Sequence, residues 1–221
     1  MSPEIISQLF LATGQTLYMV GIAALVAALL GMPLGIFLAT SRGGEIFAAP
    51  FANRLLGAIV NATRSTPFII LVVAIIPFTR LVAGTSIGTS AAIVPLTIAA
   101  APFIGRIVES AVREVDPGLI EAARAMGATP LQIVIKVLVP EARPSIVLGL
   151  TLSVVSLIGY SAMVGAVGGG GLGDLGIRYG YQRFMPEVMA AVVVVLIALV
   201  QSVQSLGDAL ARRLDRRVQR S

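Results

Sequence analysis

The sequence contains no cysteine, no histidine and no tryptophan, and only 12% of its 221 residues are charged. Without cysteine the chain forms no disulfide and no thiolate metal site, and without histidine it has no Ser-His or Cys-His pair for nucleophilic catalysis. We therefore predict no catalytic residue and no metal site. Hydrophobic residues make up 57% of the chain, well above the usual soluble composition. This composition indicates that the lipid bilayer is the solvent for most of the chain.

Long stretches without a charged residue indicate several membrane spans. The run from Ile5 to Ser41 is 37 residues long, and about 20 apolar residues already cross the hydrocarbon core as a helix. Four further charge-free runs can each supply one span. We predict an all-α integral membrane protein with five transmembrane helices, at about 17–40, 59–82, 90–107, 145–166 and 188–207. The five spans form one transmembrane domain at 17–211, whose longest cytoplasmic loop is 114–140. An external N-terminal segment at 1–16 precedes this domain, and a basic cytoplasmic tail at 212–221 follows it.

The distribution of lysine and arginine predicts the orientation of these spans. Cytoplasmic loops carry an excess of both residues, and placing the N-terminus outside puts 13 of the 16 basic residues inside. Only Arg80, Arg178 and Arg183 then lie outside. We predict a multi-pass membrane protein with its N-terminus outside and its C-terminus inside. Because topology and contacts with anionic head groups account for the net charge of +5, we predict membrane lipid as a partner and no nucleic acid.

The longest cytoplasmic loop contains helix signals that a simple tether does not need. Asp116 followed by Pro117 is typical of a helix start and Gly127 of a helix end, so we predict a helix of about ten residues between them. Thr129, with Gln132 three residues later, predicts a second helix that starts with a capping box. The apolar residues on one side of the first helix are Leu119, Ile120, Ala123 and Met126. This weak amphipathicity fits two interpretations, docking into a groove of a partner or lying on the membrane surface.

A glycine-rich segment joins the fourth and fifth spans. It matches G-x-G-x-x-G twice, but a dinucleotide site needs a preceding strand, which a connection between two spans does not offer. We predict a flexible or tightly turned outer gate segment here. The sequence also lacks G-x-x-x-x-G-K-[ST], so this chain does not cradle ATP by that device.

One face of the fourth span carries polar residues. Its members, at steps of four, three, four and three, are Gly149, Ser153, Ser156, Tyr160 and Met163. Because unpaired polar groups are costly in hydrocarbon, we predict that Ser153, Ser156, Tyr160 and Met163 line a translocation path. Hydroxyl groups suit the polar atoms of a zwitterion, and Met163 suits a thioether side chain. The alternative is a helix contact in which the hydroxyls bond to their own helix.

The first two spans each carry one further signal. Small residues recur at every fourth position of the first span, at Ala27, Gly31, Gly35 and Ala39, which predicts close packing against another helix. Arg64 is either an anchor at the inner membrane surface or a residue of the cavity, and we favour the anchor because long basic side chains near span ends commonly reach the interface.

The loop sequence EAARAMGATPLQIVIKVLVP resembles the EAA loop of binding-protein-dependent ABC importer permeases. The family pattern is E-A-A, three residues, G, nine residues, I-x-L-P. The residues that match at the family spacing are Glu121, Ala122, Ala123, Gly127 and Pro140. Val137 and Val139 replace the usual Ile and Leu and keep the apolar shape. Further segments, including NATRSTPFIILVVAIIPFTRLVAGTSIG and GYSAMVGAVGGGGLGDLG, resemble the methionine branch of this family.

The resemblance implies a type I ABC importer permease fold in the cytoplasmic (inner) membrane. In that family the helix of the EAA loop sits in a groove of a separate ATPase subunit and transmits its closure to the spans. The resemblance also implies a homodimer around a shared path and a periplasmic or lipoprotein solute-binding protein that delivers methionine. It implies no cofactor in this chain, with ATP and Mg²⁺ on the partner ATPase.

Other functions fit parts of the sequence. A permease for another small amino acid or an osmolyte would share the loop motif. An autonomous secondary carrier or channel usually places ionisable residues within its spans, whereas Glu109, Glu141, Asp174 and Glu187 lie near span ends. An intramembrane enzyme would need the histidine or cysteine chemistry that this chain lacks.

Overall fold

The computed structural model describes residues 2–214, and every regular element in that range is helical. The elements in chain order are α1 (Pro3–Thr40), α2 (Pro50–Ser65), α3 (Phe68–Ala74), α4 (Ile76–Ala83), α5 (Thr89–Arg113), α6 (Pro117–Ala125), α7 (Pro130–Ile133), a first π-helix (Val134–Leu138), α8 (Val139–Gly165), α9 (Gly171–Leu175), a second π-helix (Gly176–Gln182) and α10 (Pro186–Leu214). The last residues of the predicted basic tail, 215–221, lie outside the described residues.

Within residues 2–214, four stretches of helix are long and apolar enough to cross a membrane. They are α1, α5, the continuous helical stretch Pro130–Gly165 and α10. The pair α2 and α3 passes the same test together, which gives a fifth candidate if the pair counts as one span. The all-helical membrane fold predicted from the sequence is therefore confirmed.

The second predicted span, 59–82, is not one helix. α3 leaves α2 at a bend of 105°, and α4 follows after a further break. Pro67 explains the bend, because a proline disfavours helical backbone at the residue before it, here Thr66. Pro77 occupies one of the first two positions of α4, where its missing N–H costs no helical hydrogen bond. The two prolines indicated these breaks, but the high hydropathy of the segment favoured a single continuous span.

The predicted external segment, 1–16, is not separate from the first span, because α1 covers almost all of it. Its end is held by two side chains. The amide oxygen of Gln15 accepts a hydrogen bond from the N–H of Gly171, and the hydroxyl oxygen of Thr16 accepts one from the N–H of Leu172, both at 2.9 Å. The segment is therefore part of the packed structure.

The helical chain forms two compact units. The first unit collects Met1–Ala27, Thr66–Ala100 and Ser153–Gln204, and the second collects Ala28–Ser65, Ala101–Leu152 and Ser205–Ser221, of which the structure describes the part up to 214. A core cluster of the first unit consists of Ala12, Leu172, Leu175, Val188 and Val192. Each unit draws on three separate stretches of sequence, so neither is a continuous sequence domain.

In the second unit, α1 and α5 pack closely at two glycines. A Cβ atom on Gly31 would lie 2.6 Å from the carbonyl oxygen of Ala101 and 2.9 Å from the Cβ of Ile104. A Cβ atom on Gly35 would meet the carbonyl oxygen of Gly105 at an even shorter distance. The close packing predicted from the small residues of the first span is confirmed at these positions.

Gly35→Ala is expected to destabilise the fold. The added methyl group collides with backbone atoms of α5, which cannot rotate away, and overpacking of this kind costs about 1–3 kcal/mol. Thermal unfolding in detergent, followed by the helical circular dichroism signal, should show a lower midpoint for this variant.

Gly21→Ala is the matched control on the same helix. A Cβ atom at this position has no heavy atom within 4 Å, and alanine is a better helix former than glycine by about 1 kcal/mol. We expect its unfolding midpoint to equal or exceed that of the native chain. Equal midpoints for the two variants would contradict the tight contact between α1 and α5.

Candidate functional site

The two helices predicted in the longest loop are present as α6 and α7, and both begin with a side-chain cap. The Asp116 carboxylate accepts a hydrogen bond from the N–H of Gly118 at 2.8 Å, and Pro117 is the first residue of α6. At α7 the Thr129 hydroxyl oxygen accepts from the N–H of Gln132, whose side-chain oxygen accepts in turn from the N–H of Thr129 at 2.9 Å. The predicted N-cap and capping box are confirmed.

The end of α6 is an ordered turn around Gly127. This residue has a φ of +79°, in the left-handed region that favours glycine. The N–H of Ala128 donates to the carbonyl oxygen of Ala123 at 3.0 Å, and the N–H of Gly127 donates to that of Arg124 at 2.9 Å. This pair of bonds is a Schellman motif, which satisfies two carbonyl groups at the end of the helix. The prediction of Gly127 as a helix-ending residue is confirmed.

The apolar side of α6 is partly covered by its own chain. α6 packs on the first π-helix, which leaves Ala123 only 3% exposed and Ile120 half-buried, while Leu119 and Met126 at the edges of this side are exposed. Two of the four residues of the apolar side remain accessible, so docking into a partner and lying on the membrane surface both stay predictions. Helical spacing places Gly118, Glu121 and Ala125 opposite Ala123, and Ala122 about a quarter-turn from it. These four residues are exposed, as are Leu119, Arg124 and Met126, so the exposed surface of α6 combines small residues, one carboxylate, one guanidinium and two apolar side chains.

The residues of the EAA motif occupy three different environments. Glu121, Ala122 and Gly127 are exposed on α6 and at its end, whereas Ala123 is buried beneath them. Pro140 is half-buried in the first turn of α8, next to the first π-helix. Because proline has no N–H, the α-helical hydrogen bond to the carbonyl four residues earlier cannot form, and π-turns occur where this ladder is interrupted. The motif therefore joins an exposed helix to the start of a candidate span.

A buried carboxylate with three arginines lies at the end of α5. Glu109 is 4% exposed, and its Oε1 lies 3.3 Å from Arg42 and 3.5 Å from Arg113, while its Oε2 binds Arg106. Arg106 also donates to the carbonyl oxygen of Gly57 on α2 at 3.1 Å. Sequence reasoning missed this cluster, although Arg106, Glu109 and Arg113 stand at i, i+3 and i+7, the spacing of neighbours on one helix face. Arg42, in the connection after α1, and Gly57 on α2 carry no comparable local signal.

The predicted path residues on α8 belong to the first unit and differ in burial. Ser153 is 1% exposed, Ser156 and Tyr160 are half-buried, and Met163 is 48% exposed. The ring of Tyr160 stacks on that of Phe68, the first residue of α3, with centroids 4.5 Å apart and an angle of 12° between the planes. The structure thus brings the polar face of α8 to the broken second span.

The glycine-rich segment after α8 is turned at its start and helical beyond it. Gly168, Gly170 and Gly171 have φ values of +84°, +75° and +75°, and the carbonyl oxygen of Gly168 accepts a hydrogen bond from the N–H of Gly88 at 2.9 Å. The predicted tight turn is therefore present. α9 and the second π-helix follow directly, although a segment so rich in glycine does not predict a helix.

An ion pair organises the second π-helix. The Arg178 Nε donates to the Asp174 Oδ1 at 2.8 Å, and this hydrogen bond raises the pKa of Arg178 above its ordinary value. The Arg183 guanidinium lies 4.5 Å from the centroid of the Tyr179 ring. These contacts show that the connection before α10 has defined side-chain packing.

These features define the membrane subunit of a transport system, with long apolar helices and a capped loop helix that exposes an E-A-A-x₃-G motif. A family model described as "Binding-protein-dependent transport system inner membrane component" matches residues 31–220. The chain belongs to this family, as the loop motif indicated, and it is a multi-pass inner-membrane component of a transporter.

Two curated relatives match nearly the whole chain. The "Probable D-methionine transport system permease protein MetI" of Vibrio cholerae is 58% identical over 209 residues, which cover 95% of this chain and 93% of that protein. The Pasteurella multocida protein of the same description is 49% identical over 217 residues, which cover 98% of this chain and all of that protein, 100%.

Solved structures give the same fold. A chain of the MetNI methionine ABC transporter, in an inward-facing conformation, matches with a TM-score of 0.96 at 50% identity and covers 98% of this chain and 100% of its own. A chain of an amino acid ABC transporter solved with histidines matches with a TM-score of 0.76 at 21% identity, covering 96% of this chain and 94% of its own. The second likeness is one of fold alone.

Proposed function

We propose that this chain is the permease subunit of an ATP-driven importer of methionine and that it moves its solute by alternating access. The observation that carries this proposal is the exposed side of α6, which presents Glu121 and Ala122 in a chain whose full-length relatives are described as methionine permeases. A secondary carrier has no need of a capped surface helix with this motif.

In this function α6 docks into a groove of a separate ATPase subunit and transmits its closure to the spans. The small Ala122 allows close approach, Glu121 offers a charge for partner recognition, and Gly127 fixes the reversal of the chain behind the helix. Pro140 relays movement of the loop to α8, because it lies in the first turn of that helix. ATP and Mg²⁺ bind to the ATPase subunit, and this chain holds no cofactor.

The assembly contains two copies of this permease around a shared path. Two ATPase subunits bind on the cytoplasmic side, and a periplasmic or lipoprotein solute-binding protein delivers methionine from the other side. The solved MetNI transporter supports this arrangement, because one of its chains matches 98% of the present chain.

The N-terminus lies outside the cell membrane and the C-terminus lies inside. The ten described basic residues that this orientation places inside all belong to the second unit, whereas the first unit holds only Arg80, Arg178 and Arg183. Cytoplasmic connections carry such an excess, so this asymmetry supports placing the α6 loop in the cytoplasm.

The polar face of α8 lines the translocation path. Ser153, Ser156 and Tyr160 supply hydroxyl groups for the charged atoms of a zwitterion, and Met163 supplies a polarisable apolar surface for the thioether side chain. The half-buried state of Ser156 and Tyr160 supports this role, because a path residue is covered by its own chain on one side only.

Uptake of labelled L-methionine and D-methionine, in cells that lack this chain and in cells in which it is restored, tests the proposal. We expect restored uptake that an excess of methionine inhibits and an excess of other amino acids does not. Restored uptake of a different solute would remove the methionine assignment, and the absence of any restored uptake would contradict the transport function itself.

A further inference from the structure

A basic cavity lies within the second unit, beside the buried Glu109. It has a volume of about 580 Å³, and ligand pockets in proteins commonly span about 300–1,000 Å³. The charged residues in its wall are Arg42, Arg64, Arg106, Arg113, Glu109 and Glu114. With four arginines and two glutamates, the wall carries an excess of positive charge.

The positive charge of the cavity is not fully paired. Glu109 neutralises part of it, because its two oxygens already bind Arg42, Arg106 and Arg113. Arg64 is different, because it forms no ion pair with any residue in the described range 2–214. A guanidinium in this position has donors available for a further anion.

Arg64 is held in the cavity wall by an aromatic ring. Its guanidinium carbon lies 5.9 Å from the centroid of the Phe103 ring, a cation–π distance. Phe103 stands about one helical turn before Arg106 on α5, and both residues line the cavity together with Arg64. The interpretation of Arg64 as a surface anchor is therefore incomplete, because the residue also lines a cavity.

The second glutamate forms no ion pair that would neutralise this charge. Glu114 follows the end of α5, whereas Phe103 stands ten residues before that end. None of the ion pairs within residues 2–214 includes Glu114 or Arg64. The guanidinium that faces Phe103 therefore has no carboxylate bound to it in this part of the chain.

We propose that this cavity is an oxyanion-binding site and that Arg64 is its principal ligand. The α-carboxylate of a transported amino acid and the phosphate of a lipid head group both present two anionic oxygens. A guanidinium can bind such a pair of oxygens with two parallel N–H donors. Gly149, the first residue of the polar face of α8, also lines the cavity. A carboxylate bound in the cavity would therefore lie beside the beginning of that face. Binding of the methionine carboxylate rests on the proposed function, whereas binding of a lipid phosphate does not.

The test uses the purified full chain in lipid nanodiscs and three variants. Arg64→Gln removes the charge, Arg64→Lys keeps it, and Arg54→Gln removes an exposed arginine of the same helix that does not line the cavity. One arm measures binding of labelled methionine in phosphatidylcholine nanodiscs, with methioninol, which lacks the carboxylate, as competitor. The other arm measures by native mass spectrometry how much phosphatidylglycerol each variant retains from nanodiscs that contain equal amounts of both lipids.

We expect Arg64→Gln to weaken binding of at least one probe by about tenfold or more, as loss of one charge-assisted hydrogen bond predicts. Arg54→Gln should bind like the native chain, and Arg64→Lys should retain most of the affinity. Loss of methionine binding, with methioninol unable to compete, assigns the site to the solute, and loss of retained phosphatidylglycerol assigns it to lipid.

Equal behaviour of Arg64→Gln and Arg54→Gln with both probes would overturn the inference, and so would the absence of binding of either probe to the native chain. Circular dichroism of each variant shows that the fold is retained. The proposed function fails on a different result, namely that the native chain restores no uptake in cells, so the two failures are distinguishable.

Discussion

Ala122→Leu is expected to lower methionine uptake strongly while the chain remains folded. Ala122 is exposed on α6, next to the buried Ala123, and the proposed docking brings a groove of the ATPase subunit close to it. A leucine side chain there overpacks the contact at a cost of about 1–3 kcal/mol at each of two docking sites. Leucine is nearly as good a helix former as alanine, so α6 itself should persist. We expect uptake to fall by about tenfold or more.

Ala48→Leu is the matched control for this prediction. It makes the same substitution at an exposed position in the connection between α1 and α2, which also belongs to the second unit. This control should transport methionine at the native rate, and both variants should reach the membrane in equal amounts. Native uptake by Ala122→Leu would contradict docking through the outer side of α6.

The combined substitution of Glu121→Lys and Gly127→Leu separates binding of the ATPase from coupling. A non-glycine residue at a φ of +79° costs about 1–2 kcal/mol and strains the Schellman turn, while lysine reverses the charge on the docking side. We expect either loss of the ATPase on co-purification or ATP hydrolysis without uptake. A fully active double variant would refute a coupling role for these residues.

Ser156→Leu together with Met163→Leu is expected to impair uptake with no loss of protein from the membrane. Ser156 is half-buried and Met163 is 48% exposed, so both can reach a path beside α8. Leucine at 156 removes a hydroxyl group and narrows the path, whereas Met163→Leu conserves volume and removes only the adaptable thioether. The serine position should therefore account for most of the fall in uptake, which we expect to be about tenfold. At this position the variant loses a polar contact worth about 0.5–1.5 kcal/mol and gains a larger side chain.

Ser202→Leu provides the control for the serine position. Ser202 is exposed on α10, and its hydroxyl donates to the carbonyl oxygen of Ala198 at 2.7 Å, so it is a serine bonded to its own helix. Uptake by this variant should equal that of the native chain. If Ser156→Leu behaves like Ser202→Leu, the polar face of α8 is a helix contact and not a path.

The ends of α6 and α7 could be predicted from the sequence because their capping interactions are local. Asp116 binds a residue two positions away, and Thr129 and Gln132 bind each other three positions apart. Such interactions depend on residue order and not on the rest of the fold. The part of α6 that its own chain covers could not be predicted in the same way, because this covering depends on packing against the first π-helix.

The break in the second span and the Glu109 cluster could not be predicted from the sequence. Hydropathy averages over a window, so the apolar residues around Pro67 concealed a bend of 105°. Glu109 meets Arg42 across 67 positions of sequence, and an arginine this far away in the chain leaves no periodic pattern near the glutamate. The small residues of α1 predicted close packing but did not identify α5 as the partner.

The most direct test of the account is uptake of labelled methionine by proteoliposomes that contain this chain and its co-expressed ATPase subunit. Uptake should require ATP enclosed in the vesicles, because an importer moves its solute towards the side that holds the ATPase. It should stop when a non-hydrolysable ATP analogue replaces ATP, and it should persist when a protonophore collapses ion gradients. Uptake by this chain alone, without ATP and sensitive to the protonophore, would contradict the assignment as an ABC permease and identify an autonomous carrier.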